Sequence, residues 1–413
     1  MTDLDIYIDT AGEPVRAGVA YFTARRSGVS TTFTYDPSYL AGATTADLEP
    51  GLPRVAGQQY VDGLPGAFAD SSPDRWGRNL IDKRRRAVQR ETTRRLPAAT
   101  AIDYLVGVSD ITRQGDLRFT ARDDPDGFLA PGHDVPKLVS LPTLLNAADE
   151  VGRSGVQTGD DLGAVKSLLD AGSGSLGGAR PKASVRADDG RLLIAKFPHP
   201  GDDWDVMAWE KTALDLAEAA GITTPVRRLT KVGSRSVLLL GRFDRSGSSR
   251  IGYISAMTLL GARDGDERDY ADIAEALPAY GASVKRDLAE LFRRVVFSVA
   301  IHNTDDHLRN HGLLRAEGGW SLSPVFDINP DPDIGKRRVT GIVGSVDDDP
   351  AALLAFAGEC RLSPQQARVQ VEAVATAVAA WREVAVSNGI GPGEAGLFEE
   401  SLEHGLALLA QAG

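Results

Sequence analysis

Chemistry-bearing residues concentrate in the stretch from His302 to Asn310, which reads His-Asn-Thr-Asp-Asp-His-Leu-Arg-Asn. Asp305 and Asn310 stand five positions apart, as do the aspartate and the asparagine of a protein-kinase catalytic loop. There the carboxylate orients a hydroxyl and the amide oxygen binds magnesium. Asp327, which follows Pro324-Val325-Phe326, adds an oxygen ligand of the kind that Mg²⁺ prefers. The pattern predicts phosphoryl transfer, with Asp305 serving the hydroxyl and Asp327 the metal.

Other interpretations of these residues stay open from the sequence. Polar residues after a helix often form only a capped, solvated turn. A metal-dependent hydrolase would need a cage of acids and imidazoles, for which the chain offers His302, Asp305, Asp306, His307 and His311. In that cage the Asp305–Asn310 spacing would have no purpose. A small-molecule kinase would share the ATP machinery, and a catalytically silent binding protein would need none of it.

Composition bounds the class of protein. The 413 residues can bury large cores, and a net charge of -11 argues against DNA binding by bulk electrostatics. The basic run from Asp82 to Arg95 is a local exception, and a solvated helix face is the favoured interpretation. Cys360 is the single cysteine, which excludes an intramolecular disulfide and fits a reducing compartment. Without a signal peptide or a long apolar stretch, we expect a soluble cytoplasmic protein with no membrane association.

The N-terminal part has the pattern of a small antiparallel sheet followed by helices. Residues 4–8, 18–23 and 30–35 are rich in Ile, Val, Tyr, Phe and Thr and are separated by turn residues. Helices are predicted to follow Pro73 and to cover residues 100–106, 141–153 and 159–169. The stretch 123–136, dense in Asp, Gly and Pro, is a candidate linker.

A Gly/Ser loop at residues 171–182 precedes two short strands, 183–186 and 192–197, the second of which carries Lys196. Backbone N–H groups in a glycine loop can approach phosphate oxygens, and a lysine can neutralise them. Such a loop alone is more often a flexible connector, but its place before Lys196 favours nucleotide binding. Glu210, on a predicted helix at 204–220, is either an ion-pair partner of Lys196 or a surface residue.

The second half has the element order of a kinase catalytic lobe. A buried strand at 236–240 leads to residues 241–245, which in a two-lobed kinase would be the hinge beside adenine. A helix at 289–300 leads into the catalytic loop, and a strand at 320–323 leads to Asp327. Helices at 363–388 and 394–409 would complete the core.

With these residues in place, the chain resembles the HipA family of toxin serine/threonine kinases over nearly its whole length. The first motif is Phe-Ala-Asp-Ser-Ser-Pro-Asp-Arg-Trp-Gly-Arg, residues 68–78, and the second is the Gly/Ser loop with Lys182 and Lys196. The third and most specific joins residues 303–312 to residues 322–330, which end in Leu-Ser-Pro-Val-Phe-Asp-Ile-Asn-Pro.

The resemblance implies an α+β, atypical protein-kinase-like fold: a mixed N-terminal lobe with a small antiparallel sheet and a mostly α-helical C-terminal lobe. We expect an N-terminal subdomain at 1–122, a nucleotide-binding part at 123–245 and a helical catalytic lobe at 246–413. It also implies ATP and Mg²⁺ as cofactors, with Asp305 as catalytic base and Asn310 and Asp327 as magnesium ligands. The nucleotide residues would be Gly177, Gly178, Ala179, Lys182, Lys196 and His307, with Phe243 of the hinge holding the adenine base.

Control of the activity is implied as well. Ser175 matches the inhibitory autophosphorylation position of the family, and Ser173 is a neighbouring competitor. Phosphorylation adds roughly two negative charges, which could eject the loop from the ATP site. The expected partners are a protein substrate and a small helix-turn-helix antitoxin, through which alone the chain would reach DNA. The alternative from another class is a catalytically silent co-repressor that only binds the antitoxin.

Overall fold

The computed structural model describes residues 3–25, 28–42, 46–92, 97–124, 127–130, 135–153, 161–173 and 180–412. The chain divides into two compact units. The first comprises Met1–Gly201 and Leu239–Ile254, and the second comprises Asp202–Leu238 and Ser255–Gly413. The three-part division expected from the sequence stays a prediction.

The strands are β1 (Leu4–Thr10), β2 (Glu13–Arg25), β3 (Gly28–Tyr35), β4 (Gln58–Asp62), β5 (Leu117–Ala121), β6 (Lys182–Arg186), β7 (Leu192–Lys196), β8 (Arg227–Val232), β9 (Arg235–Gly241), β10 (Arg245–Ser246), β11 (Ser249–Arg250), β12 (Tyr253–Ser255), β13 (Gly312–Ala316) and β14 (Gly319–Leu322).

The helices are α1 (Pro37–Ala41), α2 (Gly66–Asp70), α3 (Arg75–Thr92), α4 (Ala101–Val106), α5 (Leu141–Arg153), α6 (Asp161–Asp170), α7 (Val206–Ala219), α8 (Ala256–Leu259), α9 (Tyr270–Tyr280), α10 (Val284–Ala300), α11 (Pro350–Glu359), α12 (Pro364–Ala379), α13 (Trp381–Ser387) and α14 (Pro392–Ala412). Two short 3-10 turns lie at Leu138–Ser140 and Leu308–Asn310.

The first unit begins with an antiparallel sheet in the order β4-β3-β2-β1-β5. Successive side chains of a strand point to opposite faces of the sheet. In β3, accordingly, every second side chain from Val29 to Tyr35 is buried. Three aromatic rings form the core on that face: Phe68 lies 6.3 Å from Phe33 and 5.4 Å from Phe119, both edge to face. Phe68 opens the first sequence motif, so that motif contributes to the core.

Buried ion pairs fix the second segment of this unit, Leu239–Ile254. Asp244 accepts hydrogen bonds from Arg242 (2.7 Å to Nε), from Arg245 (2.9 Å) and from the backbone N–H of Gly115 (2.8 Å). Burial by itself would raise the pKa of Asp244, but the two guanidinium groups outweigh it and hold the pKa below its usual range. The residues on either side of Phe243 are thereby fixed.

The second unit is mainly helical. Its largest ring cluster joins three helices: Trp209 of α7 lies 4.0 Å from Phe398 of α14 and 6.2 Å from Trp381 of α13. The single helix predicted at 363–388 was wrong in one respect, because α12 ends at Ala379 and α13 begins at Trp381. The break turns the chain where Trp381, 1% exposed, enters the core, and no proline or glycine marks it in the sequence.

The α+β class is confirmed, with small antiparallel sheets and many helices. None of the helices in the described ranges combines the length and the apolar character that a bilayer crossing requires.

Among the described residues of the first unit, Glu49 is the buried carboxylate whose pKa is raised to about 7, from 4.5. Burial is the main cause, and the nearby Asp70 adds to it, although the backbone N–H groups of Ala67 and Gly66 act in the opposite direction. Between pH 4.5 and about 7, the folded chain keeps a proton that the unfolded chain has released. The stability that this proton supplies is therefore present below pH 4.5 and is lost as the pH rises through 7.

We predict that the free energy of unfolding falls between pH 5 and pH 8 by an amount on the order of 3 kcal/mol that depends on Glu49. Urea unfolding followed across this pH range should show a smaller fall in Glu49→Gln, since the amide does not titrate. Glu13→Gln, an exposed position, is the control and should keep the wild-type slope. Equal slopes in the wild type and Glu49→Gln would contradict the assignment.

Candidate active site

The predicted catalytic loop begins where α10 ends. The helix is buried along its apolar face through Ala300, and the next residues turn sharply because His302 has a left-handed backbone, with φ of 51°. The loop then runs to the 3-10 turn Leu308–Asn310 and continues into β13. A left-handed φ is uncommon outside glycine and costs on the order of 1 kcal/mol, so the surrounding contacts must hold the turn.

Hydrogen bonds within the loop bring Asp305, His307 and Asn310 together. The Asp305 carbonyl accepts from the His307 N–H at 3.1 Å and from Asn310 Nδ2 at 3.3 Å, and the Asn310 N–H donates to the His307 carbonyl at 2.8 Å. Because Asn310 Nδ2 donates to that carbonyl, Oδ1 of the amide is the atom available to a metal. Asn310 is buried, whereas Asp305 is exposed, as a residue acting on an incoming hydroxyl must be.

The electrostatics of Asp305 suit a base. Partial burial is the largest cause that raises its pKa, and the Asp327 carboxylate raises it further, while His307 acts in the opposite direction. A higher pKa makes a carboxylate a stronger base. The electrostatic repulsion between the two carboxylates also shows that Asp327 lies near Asp305. Two of the predicted site acids therefore lie together.

Asp327 follows β14 in a left-handed conformation, with φ of 58°. Aspartate tolerates this region better than most residues. Just before it, the Val325 N–H donates to the Thr223 carbonyl at 2.8 Å, which ties the segment to the chain after α7. Strained backbone concentrates at functional sites. Here it occurs at His302, where the predicted catalytic loop begins, and at Asp327, the predicted magnesium ligand.

Asp306, beside the predicted base, has a structural role. Its carboxylate accepts from the Tyr270 hydroxyl at 2.6 Å and lies 3.0 Å from His311 Nε2, and its carbonyl accepts from the Thr340 hydroxyl at 2.6 Å. Burial would raise the pKa of Asp306, but His311 and Tyr270 outweigh it and lower the pKa to about 2.

A second anchor holds the start of the loop. Asp348 lies between Arg338 and His302: its Oδ1 accepts from Arg338 Nε at 2.6 Å, and its Oδ2 lies 3.1 Å from His302 Nδ1. His302 Nε2 lies 2.9 Å from the Asp333 carbonyl, and Arg338 also donates to the Asn303 carbonyl at 3.4 Å. Burial would lower the pKa of His302, but the bonds to Asp348 and Asp333 outweigh it and raise the pKa.

These contacts count against the hydrolase cage. Both ring nitrogens of His302 and Nε2 of His311 already face protein partners, and Asp306 is enclosed by Tyr270 and His311. Within the described ranges, no group of three or more His, Cys, Asp or Glu is arranged to hold a metal. Magnesium commonly takes only one or two carboxylates and completes its shell with phosphate and water oxygens, so Asn310 and Asp327 fit that ion.

Sequence reasoning missed Lys336 and Asp331. Lys336 Nζ pairs with Asp331 Oδ2 at 2.7 Å, and the same carboxylate oxygen accepts from the Thr304 hydroxyl at 3.3 Å. Asp331 therefore couples Lys336 to the residue before Asp305, and the Lys336 charge acts to lower the pKa of Asp305. The only sequence signal was the basic run Lys336-Arg337-Arg338 shortly after Asp327.

The first unit contains the other predicted residues. Lys182 and Lys196 stand directly opposite each other in the β6–β7 hairpin, an arrangement of like charges that is unfavourable unless acids or bound anions offset it. Lys182 Nζ forms a buried ion pair with Asp74 of the first motif at 2.9 Å. Lys196 is buried, and half-buried Phe243 lies 6.4 Å from Tyr253. The predicted nucleotide contacts of these residues stay predictions.

The Gly/Ser loop is only partly described. Gly177, Gly178, Ala179 and Ser175 lie outside the described residues. Ser173 is fully buried, and its hydroxyl donates to the Lys182 carbonyl, so it is inaccessible to a phosphate donor in this conformation. Glu210 of α7 is 1% exposed, and the interpretation of a surface glutamate was therefore wrong.

Comparison with known protein families gives two matches. Residues 15–102 match the family described as HipA N-terminal domain, and residues 174–381 match the family described as HipA-like C-terminal domain. The second match alone spans half of the chain. Among curated proteins, no significant match was found.

Among solved structures, the chain is similar to one from the Shewanella oneidensis MR-1 toxin–antitoxin complex of HipA, HipB and operator DNA. The two share 14% identity over 99% of this chain and 97% of that one, with a TM-score of 0.69, which shows a common fold. The Helicobacter pylori proinflammatory kinase CtkA aligns at 14% identity over 57% of this chain and 93% of its own, with a TM-score of 0.40. Choline kinase LicA from Streptococcus pneumoniae aligns at 14% identity over 57% of this chain and 92% of its own, with a TM-score of 0.20. The last two scores are too low to carry an argument.

The Asp306 anchor generates a prediction about stability. Tyr270→Phe removes one donor from a buried charge, which typically costs about 1–3 kcal/mol, and urea unfolding should show a loss of this size. Tyr280→Phe is the matched control on the same helix, since this ring is 41% exposed and its hydroxyl has no hydrogen bond within the described residues. The control should change the free energy of unfolding by less than about 0.5 kcal/mol. Equal effects of the two variants would refute the anchoring role.

Proposed function

Because the chain belongs to the HipA family, whose C-terminal domain spans half of its length, we propose that it is an ATP- and Mg²⁺-dependent serine/threonine protein kinase. It acts as a toxin of the HipA type. The observation that carries the proposal is the arrangement at Asp305: an exposed carboxylate with a raised pKa, next to Asp327 and on the same turn as Asn310.

In the proposed reaction, Asp305 orients the hydroxyl of a protein serine or threonine and accepts its proton as the oxygen bonds to the γ-phosphorus and the bond to ADP breaks. Asn310 Oδ1 and the Asp327 carboxylate hold Mg²⁺, which supplies positive charge to the phosphate oxygens when bound. His307, on the same turn, is the proposed phosphate contact.

The first unit contributes residues to nucleotide binding in this proposal. The opposed lysines of the β6–β7 hairpin, Lys182 and Lys196, bring two positive charges together, which suits an anion. Lys182 also pairs with Asp74 at 2.9 Å. Lys196 is the proposed phosphate contact. Phe243, fixed by the ion pairs of Arg242 and Asp244 on either side, is the proposed adenine contact.

The proposed partner is a DNA-binding antitoxin of the helix-turn-helix class. The similar Shewanella chain was solved with HipB and operator DNA. A net charge of -11 supports contact with DNA through a partner rather than by the bulk field of this chain.

The decisive experiment is mass spectrometry after incubation with ATP and Mg²⁺, alone and in cell lysate. We expect phosphate on Ser175, because Ser173 is buried, and new lysate phosphosites on serine or threonine. Asp305→Asn should reduce the rate by about 10²–10⁴-fold, the usual contribution of a general base, and Asp327→Ala should abolish the activity.

Asp203→Asn is the control, an exposed aspartate of the same unit, and should keep the wild-type rate. Full activity in Asp305→Asn would overturn the mechanism. Phosphorylation of small molecules but not of proteins would replace the protein-kinase proposal with a small-molecule kinase.

Lys336 provides a test of Asp305 as the titrating base. Its positive charge lowers the pKa of Asp305, so Lys336→Ala should raise that pKa further. Since a base must be ionised to act, the acidic limb of the pH–rate profile should move to higher pH. Lys336→Arg keeps the charge and should leave the limb in place, whereas an unmoved limb in Lys336→Ala would show that Lys336 does not act on the titrating group.

A further inference from the structure

The helical part of the second unit contains a groove of about 740 Å³, which is within the size range of small-molecule sites. It is bordered by the first turns of α10, the connection between α11 and α12, and the exposed side of α12. The lining residues are Val284, Lys285, Leu288, Ala289, Cys360, Arg361, Leu362, Gln365, Gln366, Val369 and Gln370. None of these is a predicted nucleotide or magnesium residue.

The base of the groove is apolar. Leu288 is 1% exposed and Cys360 is 2% exposed, and burial raises the pKa of the Cys360 thiol to about 12. A thiol in that state behaves as a small apolar group rather than as a nucleophile. On the outer side, Val369 is 60% exposed, so an apolar surface continues from the base to the rim.

Gln370 is the exception in this apolar surface. The residue is 9% exposed, and its Oε1 is buried without a hydrogen-bond partner in the described part of the chain. A buried acceptor left unpaired typically costs about 1–3 kcal/mol. A ligand that donates a hydrogen bond to this oxygen would recover that cost.

The charged residues of the groove are of one sign. Lys285 and Arg361 are exposed, and no Asp or Glu is among the residues that line the groove. Within the described residues, neither cation forms an ion pair. Arg361 also has a left-handed backbone, with φ of 56°, which holds it at the turn between α11 and α12.

We propose that this groove binds a small amphipathic carboxylate: an apolar chain or ring that carries one carboxylate and one hydrogen-bond donor. The apolar part packs on Leu288 and Val369, the carboxylate pairs with Lys285 and Arg361, and the donor reaches Gln370 Oε1. The three features, an apolar base, an unpaired buried acceptor and unpaired cations, together select this class over a metal ion.

Isothermal titration of the full chain with N-octanoylglycine, which has all three features, tests the proposal. We expect saturable 1:1 binding. The methyl ester, which lacks the charge, should bind about tenfold more weakly. Decanoate keeps the charge but lacks the donor, and it should also bind more weakly than N-octanoylglycine.

Substitutions of the lining residues test which side chains contact the ligand. Lys285→Ala combined with Arg361→Ala should weaken N-octanoylglycine at least about tenfold and leave the ester unaffected. Gln370→Leu should remove the preference for N-octanoylglycine over decanoate while the thermal midpoint stays equal or rises, because the unpaired acceptor is gone. Arg368→Ala is the matched control, an exposed arginine of α12 that does not line the groove, and should bind as the wild type does.

Absence of saturable binding, or unchanged affinity in the double variant, would overturn the proposal. A groove that is instead covered by a protein partner would give the first of these results. The titration contains no ATP, so its outcome is independent of whether the chain is a kinase.

Discussion

The exposed Asp305, the proposed base, depends on the two buried acids that hold its loop. Asp306 is fixed by Tyr270 and His311, and Asp348 is fixed between Arg338 and His302. A loop that presents a charged side chain to solvent gains little from hydrophobic burial, so buried hydrogen-bonded charges must fix its geometry instead. They also hold His302 in a left-handed backbone that the sequence alone would not favour.

This arrangement separates two neighbouring aspartates into opposite roles. Asp306 is buried with a pKa lowered to about 2. It is therefore an anion at neutral pH, and its carboxylate binds only other residues of the protein. Asp305 reaches solvent, and the partial burial of its carboxylate, together with repulsion from Asp327, raises its pKa. Adjacent identical side chains thus differ because one accepts a hydroxyl and an imidazole, whereas the other faces another carboxylate.

The elements predicted best from sequence were those with strong local signals. The helix at 141–153 has the predicted bounds, and the N-terminal strands and α10 overlap their predicted ranges, although α10 begins at Val284 rather than at 289. The break between α12 and α13 was missed because its cause is tertiary, the burial of Trp381 against Trp209. Helix α9 was missed too, although its capping box at Asp269 and Asp272 was a readable signal. It contributes Tyr270, a main support of the loop.

The sequence by itself determined the chemical inventory: the Asp305–Asn310 spacing, Asp327, the opposed lysines and the family resemblance. The spacing of residues along the chain can be read from the sequence before the fold is known. Tertiary structure decided which groups remain available for chemistry. It enclosed Asp306, His302 and His311, buried Ser173 and Glu210, and brought Lys336 near Asp305. Burial and hydrogen bonding by residues distant in sequence decide availability, and no local pattern encodes them.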